Sequence, residues 1–157
     1  MKAKHIFTLS IIVITAFLYS CGGDTNEEKS TGTASEVILE EPTPVNDKGY
    51  GKFQNVELST ELDAKMIATG QNVYDVKCAA CHKLTSEKLV GPGWENVTNR
   101  RTPEWILNFV TNVDEMLEKD PESQAMLEIC MVRMPNQNLS DDEAYGVFEF
   151  MRKNDSK

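Results

Sequence analysis

Apolar residues are distributed very unevenly along the 157-residue chain. Residues 6–17 are almost entirely apolar, whereas residues 22–61 are mostly polar, acidic or turn-forming. From residue 62 onwards, apolar side chains recur at spacings of three and four, the period of a helix with one buried face. No stretch of strand length alternates between apolar and polar residues. The pattern predicts an all-α domain over 62–157, preceded by a flexible tether at 21–61.

Four helices with long connecting loops are predicted in this domain. The first runs from Leu62 into residues 78–82. Thr102, Asp120 and Ser140 each stand where a side-chain oxygen can cap the start of a helix. Proline follows the first two caps, and a glutamate three residues after Ser140 completes a capping box.

The first 20 residues have the features of a secretory signal: a basic start, a short apolar run and a small residue before Cys21. Residues 18–21 resemble the lipobox of bacterial lipoproteins, whose cysteine carries the lipid. The resemblance implies a signal peptide at 1–20, lipidation of Cys21, and a periplasmic protein anchored by its lipid to the inner or outer membrane. The alternative is an ordinary signal peptide that is cut near this cysteine.

The charge of the chain limits the choice of partners. The net charge is −9, and the loss of Lys2 and Lys4 with the signal makes it −11. Such an acidic chain is not expected to bind nucleic acid or an anionic membrane surface. Acidic residues also extend the tether by repulsion, although its part at 50–56 has the alternative of packing on the domain. Without the signal, His82 is the single histidine.

The motif CAACH at 78–82 is the clearest chemical signal in the chain. Cysteines three residues apart lie on one side of a helical turn, which suits thioether bonds to two haem vinyl groups, and the adjacent imidazole can bind the iron. A zinc site completed by Cys130 is awkward because Cys81 and His82 are neighbours. A redox dithiol lacks its βαβ setting, and a structural disulfide leaves the histidine without a role. The motif therefore predicts one covalent haem c, attached through Cys78 and Cys81.

Residues 62–154 resemble a class I monohaem c-type cytochrome. The matching segments are GQNVYDVKCAACH at 70–82, VGP at 90–92 and MPNQNLSDDEA at 134–144. The resemblance implies helices and long loops wrapped around one haem. It also implies an electron carrier rather than an enzyme.

The resemblance assigns further roles to particular residues. The carbonyl of Pro92 is expected to accept a hydrogen bond from the imidazole of His82, which fixes the ring and raises its basicity. Gly70 and Tyr74 on the first helix are expected to pack against Phe150 on the last.

The second axial ligand of the iron is expected to be a methionine, because His82 has no second histidine to join it. Met134 precedes a proline and the last helix cap, in the order of the family's ligand loop, and Met131 in the same loop is the alternative. Met126 lies on an apolar helical face and is predicted to be core, whereas Met116 fits either role. A rival function, as a haem sensor or a peroxidase-like enzyme, requires the methionine to leave the iron.

Each of the remaining candidate residues has two interpretations. Arg101 and Trp105 are predicted to bind the haem propionates, the alternatives being a solvated arginine and a core tryptophan. Cys130 is either a small buried residue or a reactive thiol. Three lysines flank the haem motif and are either a positive collar that orients docking or a solvated surface: Lys77, Lys83 and Lys88.

The run RRTPEWILNFVTN at 100–112 resembles monohaem domains that accompany respiratory reductases or oxidases, including some nitrous-oxide reductases. This resemblance implies a monomeric electron carrier of a respiratory chain outside the cytoplasm. A quinol-oxidising membrane protein is the expected electron donor. A terminal reductase or oxidase is the expected acceptor.

Overall fold

The computed structural model describes residues 46–157. The predicted signal peptide, Cys21 and the first part of the tether lie outside the described residues. Within 46–157 the only β-type pairing is an isolated bridge between His82 and Lys88, so the predicted all-α class is confirmed. None of the helices in this range is long and apolar enough to cross a membrane. The helices are α1 (Ala64–Val73), a π-helical turn (Tyr74–Cys78), α2 (Val97–Arg100), α3 (Pro103–Thr111), α4 (Val113–Lys119), α5 (Pro121–Cys130) and α6 (Asp141–Asp155).

Helices α1 and α6 pack closely at a pair of glycines. A Cβ on Gly70 would overlap the backbone carbonyl of Gly146, so only glycine permits this approach. Just beyond α1, the ring of Tyr74 lies 5.4 Å from that of Phe150, measured between centroids. The predicted contact of Tyr74 with Phe150 is therefore confirmed, whereas the nearest atoms to Gly70 belong to Gly146 and Val147. The ring contact fixes the start of the haem motif against the longest helix of the domain.

The three predicted helix caps are present. Thr102 and Asp120 accept backbone N–H bonds at the starts of α3 and α5, and Ser140 forms a reciprocal capping box at the start of α6. The helix predicted from Thr102 to Val113 is broken at Asn112, where a separate α4 begins. Helix α2 and this break were not predicted.

Residues 46–63 form an arm that lies on α3 and α6. The arm is held by the wholly buried side-chain amide of Asn108 on α3. The oxygen of this amide accepts a hydrogen bond from the backbone N–H of Phe53 (2.9 Å). The same amide donates to the backbone carbonyls of Phe53 (2.8 Å) and Lys48 (2.9 Å). Phe53 itself is part of the core. These contacts join residues that the sequence pattern assigned to the tether, among them the 50–56 segment for which packing was the alternative, to helices of the domain.

Candidate functional site

The haem motif begins where the π-helical turn ends. The N–H of Ala79 donates to the carbonyl of Tyr74 at 2.8 Å, five residues back, which widens the helix at this point. The N–H groups of Cys81 and His82 then both donate to the carbonyl of Cys78 at 3.0 Å. This tight turn brings the two cysteines and the histidine to one side of the chain. Both thiols are free rather than joined in a disulfide.

The thiol of Cys78 is buried beneath the motif. Burial raises its pKa to about 11, so the thiol stays protonated at neutral pH in the chain without haem. A thioether at this sulfur, as the motif predicts, would not titrate. Cys81 is more accessible than Cys78, so the two sulfurs differ in exposure although they belong to one motif.

The imidazole of His82 is held from two sides. Its Nδ1 lies 2.8 Å from the carbonyl oxygen of Pro92, where only an N–H makes a favourable contact. The hydroxyl of Tyr74 donates to the backbone carbonyl of His82 at 2.9 Å, and the ring of Trp94 lies 5.5 Å from the imidazole. Burial lowers the pKa of the imidazole. The ring is therefore neutral and leaves the lone pair of Nε2 for a metal.

The bond from the hydroxyl of Tyr74 was not anticipated from the sequence, which assigned this residue only a packing role. The available signal was its identity: a tyrosine, unlike a phenylalanine, needs a partner for its hydroxyl when it is half-buried. Gly91 leaves space for the imidazole of His82, because a Cβ at this position would overlap the ring.

Three adjoining clefts surround this imidazole. They contain about 560, 620 and 440 Å³ of empty space, part of it open to solvent. Their walls are largely apolar, with Phe109 and Val110 from α3 among them. Of all the side chains in the described part of the chain, only His82 and Met134 line all three clefts.

The other candidate methionines are placed differently. Met126 lines two of these three clefts and packs against the core. Met116 is fully buried and accepts a bond from the N–H of Tyr50 through its sulfur, at 3.0 Å. Met131 is 84% exposed and lines none of the clefts. Among residues 46–157, Met134 is therefore the one methionine that shares all three clefts with His82.

Arg101 and Trp105 both line the second cleft. The indole N–H of Trp105 donates to the buried carboxylate of Asp120 at 3.2 Å, so its one donor is already used. Arg101 pairs with Glu122 and lies over the indole, with its guanidinium carbon 4.8 Å from the ring centroid. The ring of Phe109 stacks on the same indole with centroids 5.1 Å apart, and the contact of Trp105 with a haem propionate stays a prediction.

These residues fit a covalently held haem. The motif supplies two thiols for attachment, the imidazole offers a free nitrogen, a thioether faces the same space, and the walls are apolar. The family model for cytochrome c matches residues 67–155.

The chain belongs to the cytochrome c family. Solved structures of this family agree. A cytochrome c from Rhodothermus marinus is 28% identical with a TM-score of 0.65, and the match covers 68% of this chain and 90% of that one. An engineered cytochrome c from Rhodothermus marinus is 27% identical, with a TM-score of 0.65, and the match covers 68% of this chain and 92% of that one.

A more distant match supports the fold alone. The cytochrome c domain of a protein from Pseudomonas putida is 24% identical with a TM-score of 0.50, and the match covers 56% of this chain and 89% of that domain. A search of the curated proteins finds no match. Membership of the cytochrome c family establishes the cofactor: haem c is bound covalently through Cys78 and Cys81.

Proposed function

We propose that His82 and Met134 are the two axial ligands of the haem iron in this cytochrome c, and that the protein is a one-electron carrier. The observation that supports the pair most directly is that these two side chains alone, among residues 46–157, line all three clefts around the motif. A haem with both axial positions filled exchanges one electron at a time without binding a substrate.

Each residue of the site has a defined task in this proposal. The Pro92 carbonyl orients His82 and makes its ring more basic. The thioether of Met134 favours a higher reduction potential than a harder ligand would. The apolar walls exclude water, which keeps the surroundings of the cofactor similar before and after electron transfer. Trp105 contributes an apolar ring to the wall of the second cleft, where Arg101 would bind a haem propionate.

The location and partners follow from the sequence resemblances. We propose a periplasmic domain held to a membrane by lipid on Cys21. The segment between Cys21 and residue 46 would let this monomeric domain reach both partners. The partners would be a quinol-oxidising membrane donor and a terminal reductase or oxidase, with nitrous-oxide reductase as one possible acceptor. Membership of the cytochrome c family supports electron transfer in general. The respiratory donor and acceptor are proposed from the sequence resemblance.

The ligand assignment is tested by the absorption spectrum of purified holoprotein and of three variants. Met134→Ala should lose the near-infrared thioether-to-iron band and bind carbon monoxide when reduced. Met131→Ala and Met126→Ala are matched controls and should keep the band. If the wild type lacks the band and binds carbon monoxide readily, its iron is open. The carrier proposal then fails, and the sensor or peroxidase-like function takes its place.

A further inference from the structure

A carboxylate is buried directly behind the walls of two of the clefts. Asp120 is the N-cap of α5, and only 2% of its surface is exposed. Its Oδ1 accepts hydrogen bonds from the indole N–H of Trp105 (3.2 Å), the backbone N–H of Ser123 (2.8 Å) and the hydroxyl of Ser123 (2.7 Å). Ser123 lines the first cleft and Trp105 the second, so the carboxylate is one side chain away from the space for the haem.

The burial of Asp120 does not depend on whether these clefts are filled. The residue itself lines none of the three clefts around His82. A haem bound in them could therefore only cover the carboxylate further. Its surroundings in the holoprotein are at least as dry as those described here.

No cation of the described domain neutralises this carboxylate. All three of its hydrogen bonds come from uncharged donors, and the ionised carboxylate is the form that only accepts. None of the ion pairs among residues 46–157 includes Asp120. Arg101 lines a small cleft beside it, but the guanidinium pairs with Glu122. A fixed negative charge therefore lies behind the haem clefts.

The capping of α5 does not account for this charge. A cap needs an oxygen, and Thr102 and Ser140 cap α3 and α6 with uncharged hydroxyls. A buried charge costs desolvation free energy that an uncharged cap would avoid, and the positive end of α5 offsets only part of that cost. A charged group at this buried position is a reason to ask what the charge does for the cofactor.

A fixed negative charge acts unequally on the two oxidation states of a haem. The ferric iron carries one positive charge more than the ferrous iron, so a nearby carboxylate stabilises the ferric state. The interaction grows as the effective dielectric constant falls, and the walls of these clefts are largely apolar. A buried carboxylate at this place should therefore lower the reduction potential.

We infer that Asp120 is a positioning residue of the haem site whose charge lowers the reduction potential of the iron. Its hydrogen bonds hold Trp105 and Ser123 in the cleft walls, and its charge acts on the haem from behind them. The thioether of Met134 has the opposite effect on the potential, so the two residues together set its value. This inference rests on the proposed electron-carrier function and names a residue that tunes it.

The test is a redox titration of the holoprotein, followed by the absorbance of the reduced haem. Asp120→Asn removes the charge and keeps an oxygen that can accept the bonds from Trp105 and Ser123. At the midpoint potential of the wild type, the ratio of reduced to oxidised haem should rise about three- to tenfold. This is the size expected of one charge in surroundings with an effective dielectric constant of about 20. A tenfold rise corresponds to about 59 mV for a one-electron couple.

Glu118→Gln is the matched control. It removes the same charge two residues earlier, from an exposed side chain that water screens, and should change the ratio by less than about twofold. Asp120→Ser provides a second uncharged cap, of the kind that Ser140 supplies to α6, and should raise the ratio as Asp120→Asn does. It should also speed hydrogen exchange at the indole N–H of Trp105, because the shorter side chain leaves that donor without its acceptor.

The near-infrared thioether-to-iron band separates an effect of the charge from the loss of a ligand. Both Asp120 variants should keep the band. The inference is overturned if the ratio in both stays within about twofold of the wild type, if Glu118→Gln raises it as much, or if it rises only where the band is lost. If the wild type itself lacks the band and binds carbon monoxide, the carrier proposal fails. The comparison of Asp120→Asn with the wild type then still decides whether the charge acts on the haem.

Discussion

The substitution Asn108→Ala tests how the N-terminal arm is held to the haem-binding domain. The side chain is wholly buried and makes three hydrogen bonds to the backbone of Lys48 and Phe53. A made bond contributes about 0.5–1.5 kcal/mol, and a buried group left unpaired costs about 1–3 kcal/mol. Water can reach the carbonyl of Lys48 more easily than the two groups of Phe53. We therefore expect the free energy of unfolding to fall by about 3–5 kcal/mol, a large share of a typical domain's stability.

The assay is denaturant unfolding of the holoprotein, followed by far-UV circular dichroism, together with hydrogen exchange at the amide of Phe53. Asn112→Ala removes one bond to the arm, from a half-buried amide to the carbonyl of Tyr50 at 3.2 Å, and should cost about 1 kcal/mol. Asn99→Ala, on the exposed face of α2, should change stability by less than about 0.5 kcal/mol. A loss below about 1 kcal/mol for Asn108→Ala, with slow exchange retained at Phe53, would refute the assignment of the amide as the anchor of the arm.

Two further predictions concern the motif and its surroundings. In Gly91→Ala the added Cβ would overlap the imidazole of His82 and push it from the carbonyl of Pro92. A less basic imidazole stabilises the ferric iron less, so we expect a higher reduction potential or a partly high-spin absorption spectrum, and a spectrum and potential like those of the wild type would contradict this. The backbone N–H at the cap of α6 and the ammonium of Lys77 hold the pKa of Glu143 below its usual value. Its contribution to stability is therefore present above the ordinary carboxyl pKa and lost as pH falls through the lowered one. At pH 7, Glu143→Gln should unfold with a free energy lower than that of the wild type by up to about 1 kcal/mol, measured by denaturant unfolding. Below about pH 3, where the carboxylate is protonated, this difference should disappear. A difference that does not change with pH would show that the charge plays no part.

Features that depend on nearby residues were predictable from the sequence. The helix caps at Thr102, Asp120 and Ser140 are examples. Each cap depends only on a side-chain oxygen and on a backbone N–H two or three residues later, so it can be recognised from the local sequence. The motif at 78–82 carries its own geometry in the same way. The packing of α1 on α6 was predicted from the family resemblance through Tyr74 and Phe150, but the approach of Gly70 to Gly146 was not.

Features that depend on distant residues were not predictable. The apolar stripe of α3 continues past Asn112, yet the helix ends there, and the amide side chain of Asn112 bonds the carbonyl of Tyr50, 62 residues away. The arm looked like part of a tether because its few apolar residues become useful only against α3. The charge of Lys77 likewise looked free until the fold placed Glu143 beside it. Each of these contacts joins segments whose separation along the chain hides the pairing.

The position of Met134 depends both on the local sequence and on contacts between distant residues. Its loop has few ties to the rest of the domain, and the bonds within it are local, such as that from the N–H of Asn138 to the side chain of Asn136 at 2.8 Å. Two non-glycine residues with positive φ, Met131 and Asn138, set the direction in which the chain enters and leaves the loop. The ends of α5 and α6 therefore decide where the sulfur lies. Sequence order could favour Met134 over Met131, but only the packing of those helices directs one side chain into all three clefts and the other into solvent.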